Sequence, residues 1–170
     1  MRPNSILHPE LAKALAECGH TDIIMVTDAG FPIPKDAHRI DLGFYAGQAD
    51  VLDILRMLRK EIFVEEVAFA TEVKTHHPDL YKNIQEIYTG SGAVFKGTTH
   101  ENLVENLAPK AKVVIRSGSL NAWANFALVA STDPFAWFTE ENIEILPAYV
   151  ERRKRITENE VPSLSRINGQ

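Results

Sequence analysis

A chain of 170 residues, 45% hydrophobic and 24% charged, has the makeup of one globular domain long enough to bury its own core. Its 18 Lys and Arg against 23 Asp and Glu leave a net charge of −5, which argues against nucleic acid or an anionic membrane as the main partner. A single cysteine, Cys18, excludes an intramolecular disulfide and a cysteine-based metal cluster, and no apolar run nears the ~20 residues that span a bilayer. The first residues carry no apolar core of signal-peptide length, so a cytoplasmic, reducing location is expected.

Leu11, Ala14, Leu15 and Cys18 recur at helical spacing, with Pro9 suited to the first turn and Gly19 to the stop, so a first helix is expected with Cys18 inert on its apolar side. Ile23-Ile24-Met25-Val26 reads as a buried strand ending at Thr27-Asp28-Ala29-Gly30, and Phe31-Pro32-Ile33-Pro34 imposes an extended loop. A second helix begins at Asp50 with Val51, Leu52, Ile54, Leu55 and Leu58 as its apolar face, followed by a strand from Val64 to Ala70 and a third helix from Pro78 to Ile87. Thr98-Thr99-His100-Glu101 has the form of a capping box and predicts another helix start. Val113-Val114-Ile115 and Phe126 to Ala130 read as the last strands. The alternation implies an α/β single-domain sandwich with a largely parallel central sheet flanked by helices, its chemistry gathered beyond the carboxyl ends of the strands.

The segment after Asp133 differs. Phe135, Trp137, Phe138, Ile143, Ile145, Leu146 and Tyr149 form an apolar set expected to cover its own subunit or a neighbour. Pro147 should interrupt any long helix through it, leaving a short helix and an extended stretch, and Arg152-Arg153-Lys154-Arg155 reads as a solvated helix end. The organisation expected is a core domain over 1–131 and a C-terminal extension over 132–170.

Four places carry residue types suited to chemistry. His20, in a turn before the first strand, can exchange protons near neutral pH; its other use is to cap the first helix. Asp28, just after that strand, can orient a partner or close an Asx turn. His100 stands in the first turn of its helix, where the positive end of the dipole favours a neutral ring able to accept one proton and donate another; otherwise it is a surface histidine. In the loop from Arg116 to Asn125, Asn125 offers both donors and an acceptor to a sugar hydroxyl, and Trp123 can stack on a pyranose or fill the core. His76-His77 are adjacent and so are not expected to face each other on a helix. Metal spacing, a dinucleotide fingerprint and a phosphate loop are all missing from the sequence, so neither a metal nor a nucleotide cofactor is expected.

Taken in order, Gly19-His20-Thr21-Asp22, Asp28-Ala29-Gly30-Phe31-Pro32-Ile33-Pro34-Lys35, Arg39-Ile40-Asp41, Thr98-Thr99-His100-Glu101, Ile115-Arg116-Ser117-Gly118 and Ala124-Asn125 resemble the D-ribose pyranase and L-fucose mutarotase family over about residues 1–131. The Pro-Ile-Pro-Lys and Thr-Thr-His-Glu blocks look like the ribose branch. The resemblance implies an α/β subunit in ring-based assemblies, typically a homo-oligomeric decamer, with sites shared between subunits. It also implies a cofactor-independent isomerase that interconverts pyranose and furanose forms, or anomers, of a free monosaccharide such as D-ribose or L-fucose. By matching position His20 is the acid/base, Asp28 its sugar-binding and orienting partner, and His100 and Asn125 contact hydroxyls. The family usually has Tyr where Trp123 stands, and its ribose-type members often have Lys at Val104 and Glu at Ser119. Those three departures motivate the other reading, a non-catalytic sugar-binding or regulatory protein of the same fold.

Overall fold

Runs of β-branched and apolar residues separated by amphipathic helices build one six-stranded sheet in the computed structural model, which describes residues 5–140 and 143–164. In chain order the elements are α1 (Pro9–Ala16), β1 (Ile23–Thr27), β2 (Arg39–Asp41), α2 (Val51–Glu61), β3 (Val64–Ala70), α3 (Glu72–His76), α4 (Pro78–Tyr88) and β4 (Val94–Thr98). A helical stretch follows, α5 (His100–Asn102) running into a π turn (Leu103–Leu107) and a 3-10 turn (Ala108–Lys110), then β5 (Ala111–Arg116), β6 (Phe126–Ala130) and α6 (Pro147–Thr157). The strand order is β2-β5-β1-β6-β3-β4. All neighbours pair in parallel except β6, which runs antiparallel to β1 and β3 on either side of it. The sheet is therefore largely parallel, with one reversed strand near its centre.

Each strand sends alternate residues to opposite faces. Ile24, Val26, Val67, Phe69, Val113, Ile115, Phe126 and Leu128 join α1, α2 and α4 in the larger core. Met25, Ala68, Ala70, Val114 and Ala127 face a thinner layer with Phe31, Leu103 and Ala108. The alanines on that face let the 100–110 helical stretch lie close to the sheet.

Local chemistry explains most boundaries. Asp50 caps α2 by accepting from Leu52 N–H at 2.9 Å, and Pro78 occupies the first turn of α4. The Thr98/Glu101 box is not what starts α5. Thr99 is the cap, accepting from Asn102 N–H at 3.1 Å, while Thr98 closes β4 and accepts from the Asn102 side chain at 2.8 Å. Cys18 lies just beyond α1 and donates to the Ala14 carbonyl at 3.2 Å; burial, helped by the charge of Asp22, raises its thiol pKa.

The C-terminal segment departs most from its sequence reading. Pro147 starts α6 after a non-helical stretch over 143–146, the short helix and extended piece expected, because the first helical position needs no N–H from proline. Arg152 is not solvated: it is 3% exposed and bonds Ser131 and Thr132, and Arg155 donates to the Gly92 carbonyl at 3.0 Å. α6 comes so close to Gly92, which holds φ at 74°, that a Cβ there would press on Arg152 and Ile156. Beyond the helix, Leu164 bridges to Phe95 and donates its N–H to the Tyr81 hydroxyl at 3.1 Å, covering the outer edge of β4. Of the expected apolar set, Tyr149 is buried with Phe138 against it, while Phe135, Trp137, Ile143 and Leu146 remain exposed on the single chain; Ile145 is half-buried.

Candidate functional site

Because β6 is reversed, its first residues meet the carboxyl ends of β1 and β3, and this end of the sheet collects most of the polar residues singled out above. Asp28 follows β1, Asn125 precedes β6, and the two face each other across 97 residues of sequence. Asp28 N–H donates to Asn125 Oδ1 at 2.9 Å, and Asn125 Nδ2 donates to Asp28 Oδ2 at 2.8 Å. Asp28 also closes an Asx turn, its Oδ1 accepting from Gly30 N–H at 2.9 Å. One carboxylate thus both closes the turn and holds the Asn125 amide. Asn125 is fully buried, so a side chain that satisfies both a backbone donor and a carboxylate is held in one orientation.

The loop between β5 and β6 is stitched to the end of β1. Ser117 donates from its N–H and hydroxyl to the Thr27 carbonyl at 2.9 and 2.7 Å, and Ala29 N–H donates to the Ser119 carbonyl at 2.9 Å. Gly118 lies so tightly beneath Tyr45 and Gln48 that their carbonyls would collide with any Cβ. Ser119, one of the three departures from the family pattern, is 1% exposed; its N–H donates to the Ser117 hydroxyl at 3.1 Å, which makes it part of the turn. Val104 is half-buried against the thin apolar layer. A cleft of about 320 Å³ opens beside these turns, lined by Ala29, Phe44, Tyr45, Arg116 and Leu120.

His100 stands after β4 with Phe31 edge-on at 5.8 Å, and its buried Nδ1 has no hydrogen-bond partner among the described residues. A polar ring nitrogen left in that state is costly unless something else satisfies it. Trp123 holds φ at 61°, and the His76 ring stacks on its face at 5.2 Å with 24° between planes; His77 lies at 6.0 Å. Adjacent histidines do meet one target here, because His76 ends α3 and His77 is the non-helical residue between α3 and α4, so the two are not consecutive on one helix. His76 therefore covers part of the indole face considered above for sugar stacking.

His20 lies at the other end. β1 alone advances about 16 Å between it and Asp28, and the two do not meet within one subunit. His20 does not cap α1, whose cap position is Glu17. Its Nε2 lies 3.0 Å from Glu65 Oε2, an oxygen that also accepts from the Ser131 hydroxyl at 2.7 Å. Arg152 Nη1 in turn donates to Ser131 Oγ at 2.6 Å. A cleft of about 300 Å³ runs past His20, Glu65, Glu66, Tyr149, Arg152 and Arg155. Glu65 was missed in the sequence because a carboxylate early in a strand reads as solvent-facing, and nothing local announces partners from the far end of the chain.

The model of the RbsD / FucU transport protein family matches residues 1–132. The chain is 38% identical over 152 residues to "D-ribose pyranase 1" of Streptomyces griseus, covering 89% of this chain and 99% of the relative. It is 39% identical over 128 residues to the D-ribose pyranase of Geobacillus thermodenitrificans, covering 75% of this chain and 95% of that one. A match of the first kind is too long to fit within residues 1–132 and must run into the C-terminal segment. Among solved structures, Bacillus subtilis RbsD complexed with D-ribose superposes with a TM-score of 0.73 at 34% identity, over 78% of this chain and 99% of that one.

Proposed function

Since the chain belongs to the RbsD / FucU family, we propose that it is a cofactor-independent isomerase that interconverts the cyclic forms of a free monosaccharide, D-ribose before others, by general acid–base catalysis. The observation that carries this reading is the pair of half-buried Asp28 and buried Asn125 at the carboxyl end of the sheet, an arrangement of rigid donors and acceptors of the sort that fixes sugar hydroxyls. His100 adds a ring nitrogen without a partner among the described residues. The relatives named D-ribose pyranase and the ribose-bound structure support the substrate class.

Opening the ring moves one proton and breaks one bond. A base takes the proton of the anomeric hydroxyl, the C1–O bond to the ring oxygen breaks with its pair on that oxygen, and the oxygen takes a proton, leaving an open-chain aldehyde. Reclosure through another hydroxyl, or on the other face, gives the second ring form or anomer. A single histidine can receive and return that proton, with no covalent intermediate. His20 is the residue assigned to this step. Since it lies across the sheet from Asp28, it serves the pocket of a neighbouring subunit, and the working unit is a closed homo-oligomer, proposed as a ring-based decamer in the cytoplasm.

Saturation-transfer NMR on D-ribose and related aldoses tests the activity. Faster exchange between ring forms with protein than without is the expected result. Binding without faster exchange would establish the non-catalytic reading, for which the Trp123–His76 stack is the specific argument. Mixing His20→Ala and Asp28→Asn subunits tests sharing. Mixed rings regain exchange if each site draws on two subunits, and stay inactive if each site is self-contained.

A further inference from the structure

We propose that Glu65 is the positioning residue of His20, and that α6 holds Glu65 in place through Ser131 and Arg152; the proposal rests on the assignment of His20 as the acid/base. Four groups form one relay. Arg152 Nη1 donates to Ser131 Oγ (2.6 Å), Ser131 donates to Glu65 Oε2 (2.7 Å), and the same oxygen stands 3.0 Å from His20 Nε2. An ionised carboxylate only accepts, so the bond requires the proton on Nε2 and leaves the Nδ1 lone pair of a neutral ring to take the sugar's proton. Tyr149 bounds the ring on another side, edge-on at 6.3 Å.

Arg152 is what makes the relay more than a surface contact. A guanidinium 3% exposed is expensive to bury, and this one leaves Nε and Nη2 without hydrogen-bond partners among the described residues. Burial lowers its pKa and the charge of Glu65 opposes that shift, so the helix presents a buried cation to this carboxylate. Its remaining bonds, to Ser131 Oγ and the Thr132 carbonyl, fix the residues just after β6. An apolar residue would fill the same space more cheaply. The cation is explained if its effect is to hold Ser131, and through it Glu65, in one place. α6 thereby acts on the chemistry of the rest of the chain through Glu65.

The test uses the full-length protein with ¹⁵N-labelled histidine. In the wild type the His20 ring should be the Nε2–H tautomer by its two nitrogen shifts, and Glu65→Ala and Ser131→Ala should give a mixture of tautomers. With D-ribose, Glu65→Ala should lower kcat about 100-fold at nearly unchanged KM, and Glu65→Gln, which keeps an acceptor oxygen, should recover most of it. Arg152→Met, of similar length and without donors, should behave like Ser131→Ala. A His20 tautomer indifferent to Glu65→Ala would overturn the proposal, as would a Glu65→Gln enzyme as slow as Glu65→Ala. The tautomer is read without sugar, so a wild type that accelerates no exchange would count against the proposed function alone.

Discussion

At the carboxyl end of the sheet, polar groups are held by short turns around one buried amide, Asn125. At the amino end they depend on a relay that starts from α6, an element outside the sheet and its flanking helices. The first arrangement lies within residues 1–132, which match the family model; the second needs the segment beyond it. On the proposed roles the contrast separates two tasks: binding would rest on groups that cannot move independently, and proton exchange on an exposed ring whose orientation is set from outside.

Substitutions that strike one end only will sharpen or break this contrast. The largest effect is expected from His20→Ala, which should slow sugar exchange by about 10²–10⁴-fold while the half-exposed position leaves thermal stability nearly unchanged; NMR exchange and a melting curve measure both. Asn125→Ala should do the converse. It leaves the Asp28 N–H and carboxylate without their buried partner, costing about 1–3 kcal/mol in chemical denaturation and abolishing sugar binding by calorimetry. Gly92→Ala, strained at positive φ and pressed on α6, should cost about 1–3 kcal/mol. It should weaken exchange through His20 while sugar affinity holds; equal loss of both would show the two ends to be coupled.

The smallest effect concerns pH. Burial alone would raise the Asp41 pKa, but bonds from Arg39 and the charge of Arg116, 2.7 Å away, hold it below the ordinary carboxylate value. Its folded pKa is lower than its unfolded one, so the contribution is present above about pH 4 and is lost as pH falls through the folded pKa. Asp41→Asn should therefore flatten the acid limb of the stability curve slightly, without altering sugar affinity.

How much was legible follows from where the signal sits. β1, β3 and β6 announce themselves as apolar runs because both faces of the sheet are covered there. β2 and β4 carry no such signal. Arg39-Ile40-Asp41 buries a single side chain, and Val94–Thr98 lies at an edge, with only Phe95 inward and a glycine in its middle. The Asp28, Asn125 and His100 positions could be picked out from residue type and motif order. The Trp123–His76 stack could not, since it depends on α3 ending between two histidines. Nor could Arg152, whose run of basic neighbours has the composition of a solvated helix while its own side chain turns inward.

The reversed central strand carries a consequence for how the molecule comes together. A growing chain can pair β2, β5 and β1 into one half-sheet and β3 with β4 into another, yet each half keeps an open edge until Phe126–Ala130 has been made. β6 then closes both edges at once, antiparallel to β1 and to β3. Long-range joining of this kind is slow and leaves unpaired strand edges exposed to other chains in the meantime. Asn125 arrives with β6, so Asp28 acquires its partner in the same event that unites the halves. No half-finished chain therefore holds the Asp28–Asn125 pair, which exists only once the two halves of the sheet are joined.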